Sequence, residues 1–179
     1  MLETARPAPL SPYGVTKLAA EHLCMLYHAN YGVPTVAVRY FTVYGPRQRP
    51  DMAFHRFLRA ILQSEPLSLY GDGEQTRDFT FIEDAVAATI AAAERGHNGT
   101  VYNVGGGSRV SMNEILDVMA QCTGARPNVQ RKEKQRGDMR DTFADTTRAR
   151  TELGFAPRVI LNDGILAEYQ WLTSILGSL

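Results

Sequence analysis

Two cysteines in 179 residues cannot staple a fold together. Cys24 and Cys122 each fall inside an apolar helical pattern, so both are expected to be buried free thiols in a reducing compartment. A run of 18 apolar residues is also lacking, which excludes an ordinary membrane-spanning helix. The start, MLETARPAPLSPYG, lacks the layout of a secretion signal, and the expected location is the cytoplasm. No charge of one sign dominates: nineteen basic and nineteen acidic side chains cancel, which excludes a general binder of nucleic acid or anionic membrane. Local arginine clusters remain, near 47–59 and 126–140. The histidines, His22, His28, His55 and His97, have no metal-ligand spacing, so no metal is expected. No Gly-x-Gly-x-x-Gly or Gly-x-x-Gly-x-x-Gly occurs. Gly105-Gly-Gly107 fails the first pattern because position 110 is valine, which speaks against a phosphate cradle.

What is present suffices for one domain, with 44% hydrophobic residues and alternating strand and helix signals. Prolines at 7, 9 and 12 keep the first dozen residues extended. A helix is expected over 12–31, closed by Gly32, and a buried parallel strand over 34–40 (PTVAVRY). Further helices are expected over 52–63, 84–95, 111–122, with Ser111 and Glu114 as a capping box, 146–153, and from an Asn162 cap onward. Strands are expected at 67–70, 78–82 and 100–104, with weaker signals at 129–132 and 141–144. The class is α/β. The strands are few for the apolar helix surface available, as though part of a sheet were supplied from elsewhere.

Tyr13 and Lys17 stand one helical turn apart, so both side chains point to one face. Using a tyrosine hydroxyl as a base at neutral pH costs about 4 kcal/mol, which a neighbouring ammonium can offset. By spacing alone the signal is weak: eight tyrosines and three lysines in this length give roughly 0.13 chance pairs. The surroundings are more specific. Ser11-Pro-Tyr-Gly-Val-Thr-Lys17-Leu-Ala-Ala-Glu21 resembles the active-site helix of the extended short-chain dehydrogenases/reductases that act on nucleotide sugars. Arg39-Tyr-Phe-Thr-Val-Tyr-Gly-Pro-Arg47, Gly71-Asp-Gly-Glu-Gln-Thr-Arg77-Asp-Phe-Thr80 and Gly137-Asp-Met-Arg-Asp-Thr-Phe-Ala-Asp145 resemble the same family in the same order. Within it, the stretch from Thr42 to Ala53 is most similar to UDP-glucuronate 4-epimerases, although many relatives carry asparagine at the position of Thr42.

The resemblance implies a fold and a set of roles. The fold is the carboxy-terminal part of a Rossmann-type doubly wound sheet plus the smaller α/β substrate-binding domain. Residues 1–50 would be the tail of the NAD-binding domain with the catalytic helix. Residues 51–179 would be mostly the nucleotide-sugar-binding domain, with segments returning to the Rossmann sheet. Tyr13 as phenolate would take the 4-hydroxyl proton of a UDP-sugar while hydride passes to NAD. Lys17 would favour that phenolate and hold the nicotinamide ribose, with Tyr40 and Thr42 also beside the cofactor. Thr42, Met52 and Tyr70 would meet the substrate, with Leu69 and Tyr70 along the uracil. Arg49 is the candidate for a sugar carboxylate, Arg77 and Arg136 for the diphosphate, and Asp138 for the ribose or as a brace for Arg136. The partner is a UDP-sugar, and the family commonly dimerises through the Tyr13 helix.

The family also carries a glycine-rich cofactor loop and a catalytic serine or threonine a couple of dozen residues before its tyrosine. This chain begins twelve residues before Tyr13, so it is expected to lack both and to be inactive alone. Sibling readings are a 4,6-dehydratase or a UDP-glucuronate decarboxylase, which share the first oxidation. A non-catalytic nucleotide-sugar-binding module is the rival from another class.

Overall fold

A computed structural model describes residues 1–134 and 140–177. Segment 1–10 is irregular, in keeping with Pro7 and Pro9, and is sewn to the body by Asn103. The Asn103 amide side chain donates to the carbonyls of Met1 (3.0 Å) and Asp145 (3.2 Å), and its backbone N–H donates to Glu3 (2.9 Å). Helix α1 (Pro12–Tyr31) then starts with proline at N1 and the Ser11 hydroxyl accepting the Gly14 amide, and ends at Gly32 in the left-handed region. Strands β1 (Val36–Tyr40) and β2 (Val43–Tyr44) lead to α2 (Ala53–Leu62) and β3 (Leu67–Tyr70). There follow β4 (Thr76–Asp78), β5 (Thr80–Phe81), α3 (Ile82–Arg95), β6 (Thr100–Val104) and β7 (Arg109–Ser111). The chain ends with α4 (Met112–Thr123), β8 (Val129–Lys132), α5 (Thr147–Leu153) and α6 (Leu161–Leu176).

Among the described residues the strands form four two-stranded ladders, β1–β6, β2–β5 and β3–β8 parallel and β4–β7 antiparallel. Two cores result. The larger gathers Tyr44, Phe54, Leu58, Leu69, Phe79, Ile115, Met119 and Leu172 from α2, α4, α6 and the strands between them. The smaller packs α3 and α5 on the β1–β6 ladder through Ala88, Ala92, Tyr102, Val104, Ala149 and Leu153.

Several expectations are corrected. The strand over 78–82 is two strands: at Phe79 the chain leaves β7 for β2, because the buried Phe79 ring turns into the larger core. Segment 141–144 is no strand. It meets β4 at one bridge, Thr76 with Asp141, and Ala144 then turns inward to donate to Asp78. Asn162 is not a cap: Asp84 accepts the amides of Arg158 and Val159, which holds that segment extended so that α6 begins at Leu161. The two-residue β2 and the short β7 have no signal at their length. The capping box of α4 forms as expected, with Ser111 and Glu114 each bonded to the other's backbone.

The cysteine expectation fails in part. Cys24 is exposed and Cys122 half-buried. The reason is that α1 buries none of its residues, and Tyr13, Val15, Leu23, Leu26, Tyr27 and Tyr31 are each more than half exposed. β1 is likewise only half-buried, since β6 covers one of its edges. An apolar helical pattern shows that a face is meant to be covered; it does not supply the cover.

Three buried carboxylates fasten distant backbone to the cores. Asp78 accepts from Gly107 (3.1 Å) and Ala144 (3.0 Å), Asp84 from Arg158 (3.0 Å) and Val159 (3.2 Å), and Glu168 from Gly45 (2.8 Å). Burial pushes the Asp78 carboxyl above its ordinary range, and the amides of Ala144, Gly107 and Gly106 oppose that push. Gly105-Gly-Gly107 is therefore a structural turn whose amides face a carboxylate, and such a loop is no cradle for a phosphate.

Candidate functional site

Between α2, β3 and β4 lies a cleft of about 270 Å³. Its floor is apolar, from Phe57, Leu69, Phe79 and Met112, and its polar groups are Thr42, Asp51, Arg56, Ser68, Gln75 and Arg77. Met52, Ala53 and Tyr70 complete the wall. Strand alternation explains part of this list: Leu69 points into the core while Ser68 and Tyr70 flank it half-buried. A narrow cleft with an apolar floor and convergent polar groups is a small-molecule site by shape.

Four residues singled out from two stretches of the sequence, Thr42 with Met52 and Tyr70 with Arg77, meet here. Arg77 is half-buried, and its guanidinium donates to the carbonyls of Thr76 (2.8 Å) and Arg140 (3.2 Å). Gln75 donates to the Tyr70 carbonyl at 2.8 Å, which closes the Gly-Asp-Gly turn against the cleft. Arg49 is not in the wall. It folds back on two residues that are, donating to Asp51 at 3.0 Å and touching the Met52 sulfur at 3.8 Å. That pair is largely exposed and holds the arginine weakly. Arg136 and Asp138 lie outside the described residues.

Of the residues assigned to the cofactor, Thr42 is in the cleft wall and Tyr13, Lys17 and Tyr40 are not. Tyr13 is 69% exposed, and the Lys17 ammonium lies 5.4 Å from its ring centroid, within cation–π range. Tyr40, at the end of β1, is half-exposed and contacts the Thr89 hydroxyl at 2.6 Å. Because that hydroxyl donates its proton to the Ala85 carbonyl, Tyr40 is the donor. No group of three His, Cys, Asp or Glu among the described residues is placed to hold a metal ion, and no helix there is long and apolar enough to cross a membrane.

α1 is held to β1 by a bidentate pair. Arg39 donates to both Glu21 oxygens at 2.7 Å, and both side chains are largely buried. The hydrogen bond from Arg39 holds the Glu21 carboxyl below its ordinary range against the opposing effect of burial. Glu21→Ala is expected to cost about 1–2 kcal/mol, with the loss of amide-exchange protection concentrated in α1. Because the folded carboxyl is depressed, this stabilisation is present above about pH 4.5 and disappears as pH falls through the lower folded value. Urea titrations of both forms from pH 3 to 7 check the sign, and a constant difference across that range would contradict it.

Sequence reasoning missed Asp51, Arg56, Gln75 and Met112. Arg56 is exposed, lines the cleft and has no carboxylate partner among the described residues. Its signal was available, since it lies four residues beyond Met52 on α2 and so rises on the same face. Gln75 lay inside a motif already picked out. Met112 comes from the far side of the β4–β7 ladder, a pairing that no local pattern shows.

The sequence model of the NAD dependent epimerase/dehydratase family matches residues 1–105. An uncharacterized UDP-glucose epimerase of Bacillus subtilis, YtcB, is 42% identical over 174 residues, covering 97% of this chain and 55% of the relative. A dTDP-glucose 4,6-dehydratase of Streptomyces griseus is 35% identical over 164 residues, 91% of this chain and 50% of its own. The crystal structure of the UDP-glucuronic acid 4-epimerase of Bacillus cereus, in complex with UDP-glucuronic acid and NAD, superposes with a TM-score of 0.93 at 46% identity. It is matched over 97% of this chain and 56% of that one. The chain thus spans about half the length of the curated relatives it matches.

Proposed function

This chain belongs to the NAD dependent epimerase/dehydratase family, and from that premise we propose that it supplies the substrate cleft and the proton-transfer pair of an enzyme inverting C4 of a UDP-sugar, UDP-glucuronate. The observation that carries this reading is the meeting of Thr42, Met52, Tyr70 and Arg77 in one cleft. Uracil fits the Leu69–Tyr70 side, the diphosphate fits Arg77, and the sugar reaches toward Thr42 and Met52. Arg56 and the rim arginine Arg49 are the cations available to a sugar carboxylate.

Tyr13 and Lys17 suit NAD chemically: an exposed phenol and an exposed ammonium on one helix face can meet ribose hydroxyls and the reacting sugar. When bound, NAD supplies the acceptor and donor of hydride. The chain's own part is the proton. The Tyr13 oxygen takes it from the 4-hydroxyl as the sugar is oxidised and returns it after the flat 4-keto sugar has turned over, while Lys17 stabilises the phenolate. Tyr40 ends β1, and Thr42, two residues on, is in the cleft wall. Dehydration begins with the same oxidation, so identification of the product separates the sibling reactions.

The division near residue 50 follows from the same reading. It draws support from the smaller core, where α3, α5 and β6 gather on β1. The exposed apolar residues of α1 support its burial against further protein, a second copy in a homodimer included.

Calorimetric titration tests the cleft. The chain is expected to bind UDP-glucuronate and UDP, and Arg77→Ala to weaken both about tenfold, as loss of a charged hydrogen-bonding partner does. Arg56→Met is expected to weaken UDP-glucuronate about tenfold while sparing UDP-glucose. Failure to bind either UDP or a UDP-sugar at millimolar concentration would sink the proposal.

A further inference from the structure

Glu168 takes no part in the chemistry above, yet it is 0% exposed and lies among the apolar side chains of the larger core. One oxygen accepts the Gly45 amide at 2.8 Å; the other has no hydrogen-bond partner among the described residues. Burying a carboxylate with one bond is costly, and an apolar residue of similar size would serve a purely structural purpose better. What the carboxylate holds explains its presence. Gly45 belongs to the segment 42–52, which begins at Thr42 and ends at Met52, both in the cleft wall. At Gly45 the backbone has φ +130° and passes so close to Ile82 and Phe81 that an added Cβ would lie 2.7 and 2.9 Å from them.

At its start the segment is held by β5, which pairs with Val43 and Tyr44 and whose Thr80 amide donates to the Thr42 carbonyl (3.0 Å); beyond Gly45 it is bonded mainly to itself. Gln48 donates from its backbone to the Gly45 carbonyl (3.0 Å) and from its side chain to Val43 (3.0 Å), and it accepts the His55 amide (3.0 Å). Its hydrogen bond to α6 is the one from Gly45 to Glu168, beside the packing of the Tyr44 ring against Gly164.

We propose that Glu168 is a positioning residue, setting the 45–52 loop through the Gly45 amide and thereby the placement of Met52 against the sugar. The inference rests on the reading of the cleft as a UDP-sugar site. It also makes the loop sensitive to pH near neutrality. Burial pushes the Glu168 carboxyl up to about 7, with the Gly45 amide opposing, so the bond is charge-assisted above that pH and neutral below it. The titratable group acting with it is Tyr44 of β2, whose phenol also feels Asp84 of α3 and Asp163 of α6, while His55 of α2 stands edge-on to Trp171 of α6. Burial, then the charges of Asp84, Glu168 and Asp163, raise the Tyr44 phenol far above neutrality, so it does not compete in that range.

The test has a spectroscopic arm and a binding arm. In the unmodified chain the Gly45 amide-proton resonance is expected to titrate with a midpoint near pH 7, and in Glu168→Gln to stay flat. At pH 8, Glu168→Gln is expected to weaken UDP-glucuronate about fivefold while UDP, which has no sugar, changes less than twofold. A Gly45 resonance that ignores pH from 5.5 to 8.5 overturns the proposal, as does an equal loss for both ligands. Should the unmodified chain bind neither ligand, the nucleotide-sugar reading itself falls, and the Gly45 titration still decides whether Glu168 holds the loop.

Discussion

Gly106→Ala is expected to leave no cooperatively folded protein. A Cβ at this position would lie 1.9 Å from the Phe79 carbonyl oxygen, 2.9 Å from its carbon and 3.2 Å from the Thr80 Cα. All three are backbone atoms, so no rotamer change relieves the overlap. Moving that backbone would disturb the point where the chain leaves β4 for β5, and with it the buried Phe79 ring. It would also pull the Gly105-Gly-Gly107 turn from the Asp78 carboxylate. The cost is on the order of 4 kcal/mol or more, a large share of the roughly 5–15 kcal/mol by which domains are stable. Gly107→Ala is the control. Its φ of +76° carries strain, but the nearest atom is the end of the Arg150 side chain at 3.6 Å, so about 1 kcal/mol is expected. Urea unfolding followed by circular dichroism distinguishes them. A Gly106→Ala protein within 1 kcal/mol of the parent would show that the turn does not pack as described.

Tyr13→Phe carries the largest expected effect on catalysis. The reporter is a chimera joining the amino-terminal part of the Bacillus cereus UDP-glucuronic acid 4-epimerase to this chain, a graft favoured by 46% identity and a TM-score of 0.93. Removing one hydroxyl deletes the group proposed to move the proton, and turnover is expected to fall about a thousandfold, within the range for a positioned acid–base residue. KM is expected to change little, because the phenyl ring remains. Stability is expected to stay within about 0.5 kcal/mol, since the side chain is 69% exposed. Conversion of UDP-glucuronate to its C4 epimer, followed by NMR, gives the rate. Unaltered turnover would remove Tyr13 from the mechanism and leave the cleft assignments standing.

The contrast between these experiments reflects where information sits in the chain. The helix from Pro12 to Tyr31, its Ser11 cap and its Gly32 stop are local matters, and so is the capping box of α4; short-range spacing is enough for each. The pair proposed for proton transfer is equally local, four residues apart on one helix. Thr42, Met52, Tyr70 and Arg77 were legible in or beside two stretches, 42–53 and 71–80. Arg56 and Gln75 could have been found by extending the same patterns.

Tertiary structure alone decided the rest. That Thr42, Met52, Tyr70 and Arg77 line one cleft depends on α2, β3 and β4 folding onto a shared apolar floor, which includes Met112 from beyond the β4–β7 ladder. The pattern of residues 141–144 suits a strand, yet only one residue finds a partner on β4 before Ala144 turns to Asp78. Glu168 reads in sequence as an ordinary charge on an amphipathic helix. It becomes an interior anchor because Gly45, 123 positions away, brings an amide to it. Local spacing states which side chains share a face; burial and long-range hydrogen bonds depend on what the rest of the chain lays against that face. For Tyr13 and Lys17 the sequence determined the pair, and the fold determined that it stands exposed on a helix that this chain leaves uncovered.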